Sequence, residues 1–494
     1  MLEAPTWRRE ATDAELRGKR LQDWLRHPLL WMVVAAALGI FLGSQVVGIS
    51  QRYAKLAIAL GFVFVLMRYP TVIGAGVFLL LYAFPTAIWI GNTNFIFTTF
   101  LAVVWLIRGG LGRERVRGTY LDIAILAYFA VHMLSLVNVE TPEQLSKSLL
   151  AMRHLFLPIV FYYVLVNVGR SEEKLLFLAR MFTFSSVLVY LTAFLQRFLP
   201  GVAFLPRWYL SVLGARDIFE PGVQRISGVM THALLGDLAA FTCLLQVFLA
   251  IRAKGHPYWR AAHWLLAAVS VYVISLTGNR GALVVLLAGA VYFLWMFRRE
   301  VSWKRVFVGL IAFLGLMLIG EKTLGRFQGN VTLLTRVAGT YIERGIPDTR
   351  RAAWIYIWDR IMEKPILGHG PYYSLAPIAP GQKTLWPHNA FLFYFFSIGL
   401  VGLPTYLYLV WRVLKRTWDR GGFRIGEAPF ARGMMVVCHV GIVQFLIGQL
   451  RTDHQRGDVY IFFMWILFAL GVLASEVWRA SGDARTPRPA MIGR

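Results

Sequence analysis

The chain has 494 residues, of which 57% are hydrophobic and only 16% are charged, with a mean hydropathy of +0.57. So much apolar surface cannot be hidden from water inside one globule, which excludes a soluble protein and predicts a membrane protein. The net charge of +25 is explained in large part by the Lys and Arg residues that collect in the short cytoplasmic loops of membrane proteins. With no soluble basic domain to carry it, this charge does not indicate nucleic-acid binding, although part of it could attract membrane lipids.

The N-terminal segment 1–28 is basic and polar and precedes a full membrane span without a small-residue cleavage pattern, so we expect it to remain on the mature protein. Apolar segments then follow at 29–49, 54–68, 72–91, 94–107, 120–138, 149–168, 174–199, 234–252, 261–278, 280–298, 304–320, 389–411, 431–450 and 458–475. The segments at 54 and 94 are shorter than the roughly 20 residues that a span usually needs. The pattern predicts an all-α polytopic membrane protein with 12–14 transmembrane helices.

Basic residues at every second connection define the orientation of these helices. One alternation places all of the clusters inside, with both termini cytoplasmic, including the tail 477–494. The clusters are Arg8, Arg9, Arg17, Lys19, Arg20 and Arg26; Arg108, Arg113, Arg115 and Arg117; Arg170 and Lys174; Arg252, Lys254 and Arg260; Arg298, Arg299, Lys304 and Arg305; Arg412, Lys415, Arg416 and Arg420; and Arg479, Arg485, Arg488 and Arg494.

The same alternation places the segment 200–233, the turn around Asn279 and the polar stretch 321–388 on the outer face. We therefore predict transmembrane helices over 29–320, one large outer loop subdomain over 321–388, and C-terminal transmembrane helices over 389–476.

Inside the long loop, Asp348 and Thr349 can cap a helix that runs to about Glu363 and is stopped by Pro365. Apolar residues recur on one face of this helix, at Trp354, Ile357, Trp358 and Ile361. We expect the helix to lie on the membrane or to close over a cavity.

The loop also offers candidate contacts to sugars and phosphates. Tyr372, Tyr373 and Trp386 have amphipathic rings suited to an interface or to sugar faces. Arg350 and Arg351, with other basic residues of the loop, could meet acidic groups, although a solvated basic face explains most of them equally well.

Two arginines of the outer face are candidates for binding an anion. Arg280 follows Asn279, which can cap the helix 281–298, and a helix N-terminus with a guanidinium fork suits phosphate. An arginine that extends to lipid headgroups is an equally good explanation. Arg225 lies on the same face, where an ordinary loop arginine is the simpler interpretation.

His388 lies where the polar loop meets the apolar run that begins at Phe391. An imidazole titrates near neutral pH and can accept a proton from a sugar hydroxyl. For a single histidine, a capping or interfacial role is more common than catalysis. The two arginines and the covering loop on the same side nevertheless make His388 a candidate base.

Several motifs of known chemistry are absent from the sequence. It has no Walker loop, no His-Glu-x-x-His pair, no Gly-x-Ser-x-Gly elbow and no outer-face Asp-x-Asp pair. The two cysteines, Cys243 and Cys438, lie inside apolar runs and have no metal-ligand spacing. We therefore expect chemistry without a metal or another cofactor.

Three stretches together resemble the superfamily of O-antigen ligases and O-antigen polymerases, and most closely the ligases. They are Leu276-Thr277-Gly278-Asn279-Arg280-Gly281-Ala282; Arg351 to Trp354 leading to Pro365-Ile366-Leu367-Gly368-His369-Gly370; and Pro387-His388-Asn389-Ala390-Phe391-Leu392 with Gly399, Gly402 and Leu403. The resemblance is close over about 275–405. One departure is Phe396-Ser397, where many relatives carry an acidic residue before the glycine.

The resemblance implies a GT-C-like membrane glycosyltransferase of the bacterial inner membrane. Such an enzyme transfers O-antigen from undecaprenyl diphosphate to the lipid A core oligosaccharide on the periplasmic side, in lipopolysaccharide biosynthesis, without a metal and with inversion. It further implies that Arg225 and Arg280 bind the diphosphate of the donor and that His388 is the catalytic base.

Two other functions remain open at this point. An O-antigen polymerase or a protein O-oligosaccharyltransferase would use the same donor with another acceptor; the single late loop and the lack of a large C-terminal extramembrane domain favour the ligase. A flippase or transporter of lipid-linked sugars also fits many helices and a basic composition. Transporters, however, commonly have repeated halves and polar midplane segments, and here the polar groups collect on one face.

Overall fold

The computed structural model describes residues 67–84, 93–198, 226, 229–298, 348–371, 387–419, 425–426, 428–452 and 458–481, with scattered residues between 304 and 322. The chain divides into two compact units, Met1–Pro70 and Thr71–Arg494. The architecture below is that of the second unit.

The regular structure within these ranges is helical. The α-helices are α1 (Thr71–Leu81), α2 (Thr93–Gly110), α3 (Asp122–Ser135), α4 (Pro142–Val168), α5 (Glu172–Phe198), α6 (His232–Arg252), α7 (Pro257–Thr277), α8 (Arg280–Met296), α9 (Asp348–Glu363), α10 (Ala390–Thr417), α11 (Phe430–Gln449) and α12 (Asp458–Ala480). A short 3₁₀ turn, Leu136–Asn138, follows α3.

Seven of these helices are long and apolar enough to cross a membrane, namely α4, α5, α6, α7, α10, α11 and α12. Four shorter apolar helices accompany them in the described part of the chain: α1, α2, α3 and α8. The expected all-α polytopic membrane fold is confirmed. Segment 29–49 and nearly all of 54–68 lie outside the described residues. In the segment expected at 72–91, α1 ends at Leu81, and residues 85–91 lie outside the described residues.

The helices alternate between two ends of the bundle. At one end, which we call the Arg412 end, Arg412 donates to the carbonyl of Tyr120 at 2.5 Å and Arg252 donates to that of Ala428 at 2.6 Å. At the other, the Arg451 end, α6, α8, α10 and α12 begin and α7 and α11 finish. The basic clusters around Arg108, Arg170, Arg252 and Arg412 all belong to the Arg412 end, where Arg170 pairs with Glu476 at 3.3 Å.

The centre of the bundle is built on α6 and α12, since 89% of the apolar window of each is buried inside the protein. α6 packs along α7 and α8, and α12 packs on α11 and α4. Because lipid is as apolar as a leucine side chain, close packing and hydrogen bonds rather than the hydrophobic effect must hold such helices together.

Buried hydroxyl and amide groups join α5 to its neighbours. Ser186 bonds Thr242 at 3.1 Å, and the amide of Gln246 donates to Thr183 at 3.0 Å. Tyr190 donates to Ser270 of α7 at 3.0 Å. Thr183, Ser186 and Tyr190 of α5 thus each have a partner on another helix, and such bonds hold helices together in a membrane.

α10 is not one continuous helix, although the sequence predicts a single apolar segment at 389–411. At Gly399 the backbone has φ 69° and ψ −166°, which interrupts the helical hydrogen bonds. The carbonyls of Phe396 and Ser397 instead accept from the backbone N–H groups of His369 and Gly370, at 3.0 and 2.9 Å.

The N–H groups beyond the break are satisfied by the same loop. Leu400 donates to the carbonyl of Pro365 at 2.8 Å, and Val401 donates to that of Ile366 at 3.2 Å. The segment 365–370 thus fills the interruption in α10. The Pro-Ile-Leu-Gly-His-Gly motif and the distant Gly399 therefore form one structural unit.

α9 occupies the positions predicted from the sequence and packs its apolar face on the first half of α10. Ile357 and Ile361 are fully buried against Phe396. The ring of Trp358 meets Phe395 edge to face, with centroids 6.0 Å apart. The face that was expected to lie on the membrane or over a cavity is therefore used in large part to hold α9 on α10.

Replacing Gly399 by alanine should destabilise the protein by about 2–4 kcal/mol, because the residue has positive φ and the added Cβ would lie 2.2 Å from the carbonyl oxygen of Ile366. Thermal unfolding in detergent measures this. Gly255→Ala, where nothing lies within 4 Å of the added atom, is the matched control and should leave the melting temperature unchanged. Equal melting temperatures for both variants would contradict the assigned role of the break.

Candidate active site

Arg280 is the first residue of α8, placed there by a tight turn. α7 ends at Thr277, Gly278 adopts the left-handed conformation with φ 58°, and Asn279 caps α8 by accepting from the N–H of Ala282 at 3.3 Å. The first N–H groups of a helix have no partner within the helix, and its dipole is positive there. The guanidinium of Arg280 thus begins at a point that already favours an anion.

His388 lies at the start of α10 in an uncommon backbone conformation. Its φ is 47°, and it is the one residue other than glycine with positive φ in the described ranges. Both neighbours are held: the indole of Trp354 donates to the carbonyl of Pro387 at 2.7 Å, and Asn389 caps α10 by accepting from Leu392 N–H at 3.1 Å. A strained backbone conformation of this kind persists only where the surrounding structure enforces it. The His388 residue itself is exposed.

The end of α11 connects these two helix starts. The side-chain amide of Asn389 donates to the carbonyl of Leu450 at 3.4 Å, and the guanidinium of the next residue, Arg451, donates to Asn279 Oδ1 at 3.0 Å. Asn389 directly follows His388, and Asn279 directly precedes Arg280. Two residues remote in the sequence are thereby attached to the same two-residue stretch at the Arg451 end.

Asp237 of α6 completes this connection and was not singled out by the sequence analysis. Its side chain pairs with Arg451 and accepts from the hydroxyl of Tyr460, while only 3% of the residue is exposed. A charged residue within an apolar, membrane-length segment is rare and commonly functional. That rule, applied to the segment 234–252, could have found Asp237 from the sequence.

Gly281 leaves the space that Arg451 occupies. A Cβ at this position would lie 1.9 Å from Cδ and 2.3 Å from Nε of Arg451. Helix α6 also approaches the start of α8 closely, because a Cβ on Gly236 would lie 2.6 Å from the Cβ of Ala282. The glycine after Arg280 is thus explained by the passage of Arg451 across the start of α8.

His369 has a structural rather than a catalytic environment. The residue is 5% exposed, its ring stacks on Phe396 with centroids 4.7 Å apart, and its Nε2–H donates to the carbonyl of Arg360 at 2.7 Å. Burial lowers the pKa of this imidazole below its usual value, with the Arg360 carbonyl acting in the opposite direction. Of the two histidines that flank the long loop's C-terminal part, His388 is the one open to solvent.

An open apolar groove of about 550 Å³ lies between α9 and α10 and is lined by Asn389, the residue after His388. Its walls include Trp354, Trp358, Phe391 and Phe395, and its polar lining residue is Asn389. A cleft of this character next to a titratable group is suited to the apolar part of a ligand.

Other predicted site residues fall outside what the structure describes. Arg225, Tyr372, Tyr373 and Trp386 lie outside the described residues, and of Arg350 and Arg351 only the helical backbone of α9 is described. Ile226 is described and is buried, and its N–H donates to the carbonyl of Leu276 in the last turn of α7, at 3.4 Å. In the described part of the chain, no three His, Cys, Asp or Glu side chains gather as a metal site would require.

Comparison with known proteins links this part of the chain to one family. Residues 265–407, which run from within α7 to a point in α10 beyond the break at Gly399, match the family described as O-antigen ligase. The O-antigen ligase of Salmonella typhimurium (strain LT2) is 29% identical over 210 residues, which is 40% of this chain and 48% of that protein. The chain thus matches about half the length of this relative. The resemblance inferred from the sequence is confirmed.

Replacing His369 by glutamine should reduce the acid sensitivity of the fold. Because burial lowers the folded-state pKa, the unfolded chain binds the proton first, so stability is complete above the unfolded pKa of about 6.5 and is lost as the pH falls below it. Melting temperatures at pH 7.5 and 5.5 measure the effect. The melting temperature of the wild type should fall more on acidification than that of His369→Gln. Equal falls would show that the buried imidazole does not contribute to the acid sensitivity.

Proposed function

We propose that this chain, whose residues 265–407 match the O-antigen ligase family, transfers a lipid-linked O-antigen glycan from undecaprenyl diphosphate to the lipid A core oligosaccharide. The observation that supports the proposal most strongly is the attachment of the starts of α8 and α10 to Leu450 and Arg451, because Arg280 begins α8 and His388 directly precedes α10. The family match covers Arg280 and His388 together.

The diphosphate of the donor would bind at the start of α8. There the fork of Arg280 and the positive end of the helix dipole favour phosphate oxygens. Negative charge grows on the diphosphate as the glycosidic bond breaks, so these groups stabilise the transition state more than the ground state. We assign Arg225 to the same diphosphate, and the bond of the next residue, Ile226, to the last turn of α7 supports this assignment. Because diphosphate is a good leaving group, no metal is needed.

His388 would act as the base on the acceptor. Its imidazole takes the proton of the attacking sugar hydroxyl, while the anomeric carbon passes from the diphosphate oxygen to the acceptor oxygen with inversion. The exposure of His388 and the held residues on both sides of it support this role, because a base must be accessible and oriented. The apolar groove beside Asn389 supports sideways entry of a lipid-bearing substrate from the membrane.

The charge distribution supports a periplasmic site in the bacterial inner membrane. Basic clusters belong to the Arg412 end, which the positive-inside rule makes cytoplasmic. The Arg451 end then faces the periplasm, where Tyr372, Tyr373, Trp386, Arg350 and Arg351 would contact the acceptor oligosaccharide.

An assay with purified protein in detergent, undecaprenyl-diphosphate-linked glycan and lipid A core tests the function. Transfer to lipid A core supports the ligase. Transfer only to a second donor glycan or to a pilin-like protein would replace it by a polymerase or a protein O-oligosaccharyltransferase. Movement of intact donor across vesicles without its consumption would indicate a flippase.

His388→Asn should reduce transfer about 10²–10⁴-fold, the usual loss when a general base is removed. Asparagine tolerates positive φ, so the conformation with φ 47° is retained and folding is little changed. His388→Ala should lose the same activity at some cost in stability. Near-normal transfer by either variant would remove His388 as the base.

Arg280→Lys should reduce transfer about 10- to 100-fold, because lysine keeps the charge but lacks the planar fork that binds two phosphate oxygens at once. Initial rates at varied donor concentration measure the change. An unimpaired lysine variant would rule out bidentate binding of the diphosphate by Arg280.

A further inference from the structure

Asp237 needs an explanation that packing does not provide. It lies in the first turns of a helix whose apolar window is 89% buried, with only 3% of its own surface exposed. Removing a carboxylate from water is costly even when it is paired, and a well-packed apolar residue often stabilises a protein as well or better. Its presence therefore points to a task that an apolar residue cannot perform.

The task that the contacts indicate is control of Arg451. Asp237 of α6 accepts from the hydroxyl of Tyr460 on α12 and pairs with Arg451. Arg451 Nη1 in turn donates to Asn279 Oδ1 at 3.0 Å. The same Asn279 oxygen accepts from Ala282 N–H at 3.3 Å and so caps α8. Asp237 is thus linked, through one guanidinium, to the residue that caps α8.

The same stretch also bears on α10. Arg451 follows Leu450, whose carbonyl accepts from Asn389, the residue that caps α10. A displacement of Arg451 would therefore move the attachment points of both helix starts. One of them carries Arg280 and the other is preceded by His388.

We propose that Asp237 and Arg451 are positioning residues, which hold the starts of α8 and α10 at a fixed separation so that Arg280 and His388 act on one donor–acceptor pair. Neither residue is assigned a contact with substrate. The proposal goes beyond the proposed function and rests on it for the roles of Arg280 and His388. Misplacement of about 1 Å at a reacting centre can cost 10²-fold in rate, so such a device has a large effect on catalysis.

The test must separate positioning from ordinary stabilisation. Single variants such as Asp237→Asn leave the partner buried and unpaired, which destabilises a protein whatever its function. The double variant Asp237→Leu/Arg451→Met removes both charges and fills the space with apolar atoms, so its melting temperature should stay close to that of the wild type.

For this double variant we expect kcat for transfer to fall at least about 10-fold, with a much smaller change in KM for the acceptor. We also expect faster hydrogen exchange at the amides of Ala282 and Leu392, which Asn279 and Asn389 cap. Recovery of wild-type kcat once stability is restored would overturn the proposal.

The chain offers a matched control at the other end of the bundle. Asp419 and Arg432 form a second buried pair, with Oδ2–Nε at 2.8 Å and side chains 4% and 15% exposed. Asp419→Leu/Arg432→Met should leave kcat and both exchange rates unchanged. An equal loss of kcat in this control would show that any buried pair has the same effect.

A third variant keeps both charges. Gly281→Ala places a Cβ 1.9 Å from Cδ of Arg451 and so forces that side chain aside. It should reproduce the loss of kcat and the faster exchange even if the double variant fails to fold; normal kcat would refute the proposal. If the variants exchange faster but the wild type transfers no glycan, the proposed function is contradicted, while the role of Asp237 and Arg451 in holding the two helix starts is retained.

Discussion

The rule that every backbone polar group inside a membrane protein must find a partner explains the central feature of this fold. α10 stops being helical at Gly399, and the groups released there bond to the segment 365–370. A Cβ on Gly399 would lie 2.2 Å from the Ile366 carbonyl and one on Gly368 would lie 2.4 Å from the backbone of Ser397. The backbones can approach only because both residues are glycine, and α9, which leads into this segment, is thereby held on α10.

The second organising feature is the convergence of helix termini at the Arg451 end. The starts of α8 and α10 have positive dipole ends, and the end of α11 supplies a carbonyl and an arginine to the asparagines that cap them. Arg451 in turn pairs with Asp237 of α6, which accepts from the hydroxyl of Tyr460 on α12.

The Arg412 end uses its charges differently. Its arginines are largely engaged with carbonyls, carboxylates and aromatic faces, as when Arg412 lies 3.9 Å from the ring centroid of Tyr120 and Arg108 pairs with Glu114 at 3.0 Å. These contacts join successive connections to one another. The two ends therefore differ, since charged contacts join successive connections at the Arg412 end and helix termini meet at the Arg451 end.

Much of the fold could be read from local sequence, because apolar length and helical spacing act locally. The apolar segments, the cap Asn279 and the helix Asp348–Glu363 with its apolar face were predicted from neighbouring residues only. The motifs around Arg280 and His388 likewise pointed to the family whose model matches residues 265–407.

Tertiary structure alone decided how these pieces join. No local pattern reveals that α10 breaks at Gly399, that His369 is buried while His388 is exposed, or that Arg451 crosses Gly281 to reach Asp237. Each of these depends on partners more than ten residues away, and in the case of Asp237 and Arg451 on a contact spanning 214 positions. Residue types and spacing determined which helices form, because these act over a few neighbouring residues, whereas contacts between distant segments determined how those helices join.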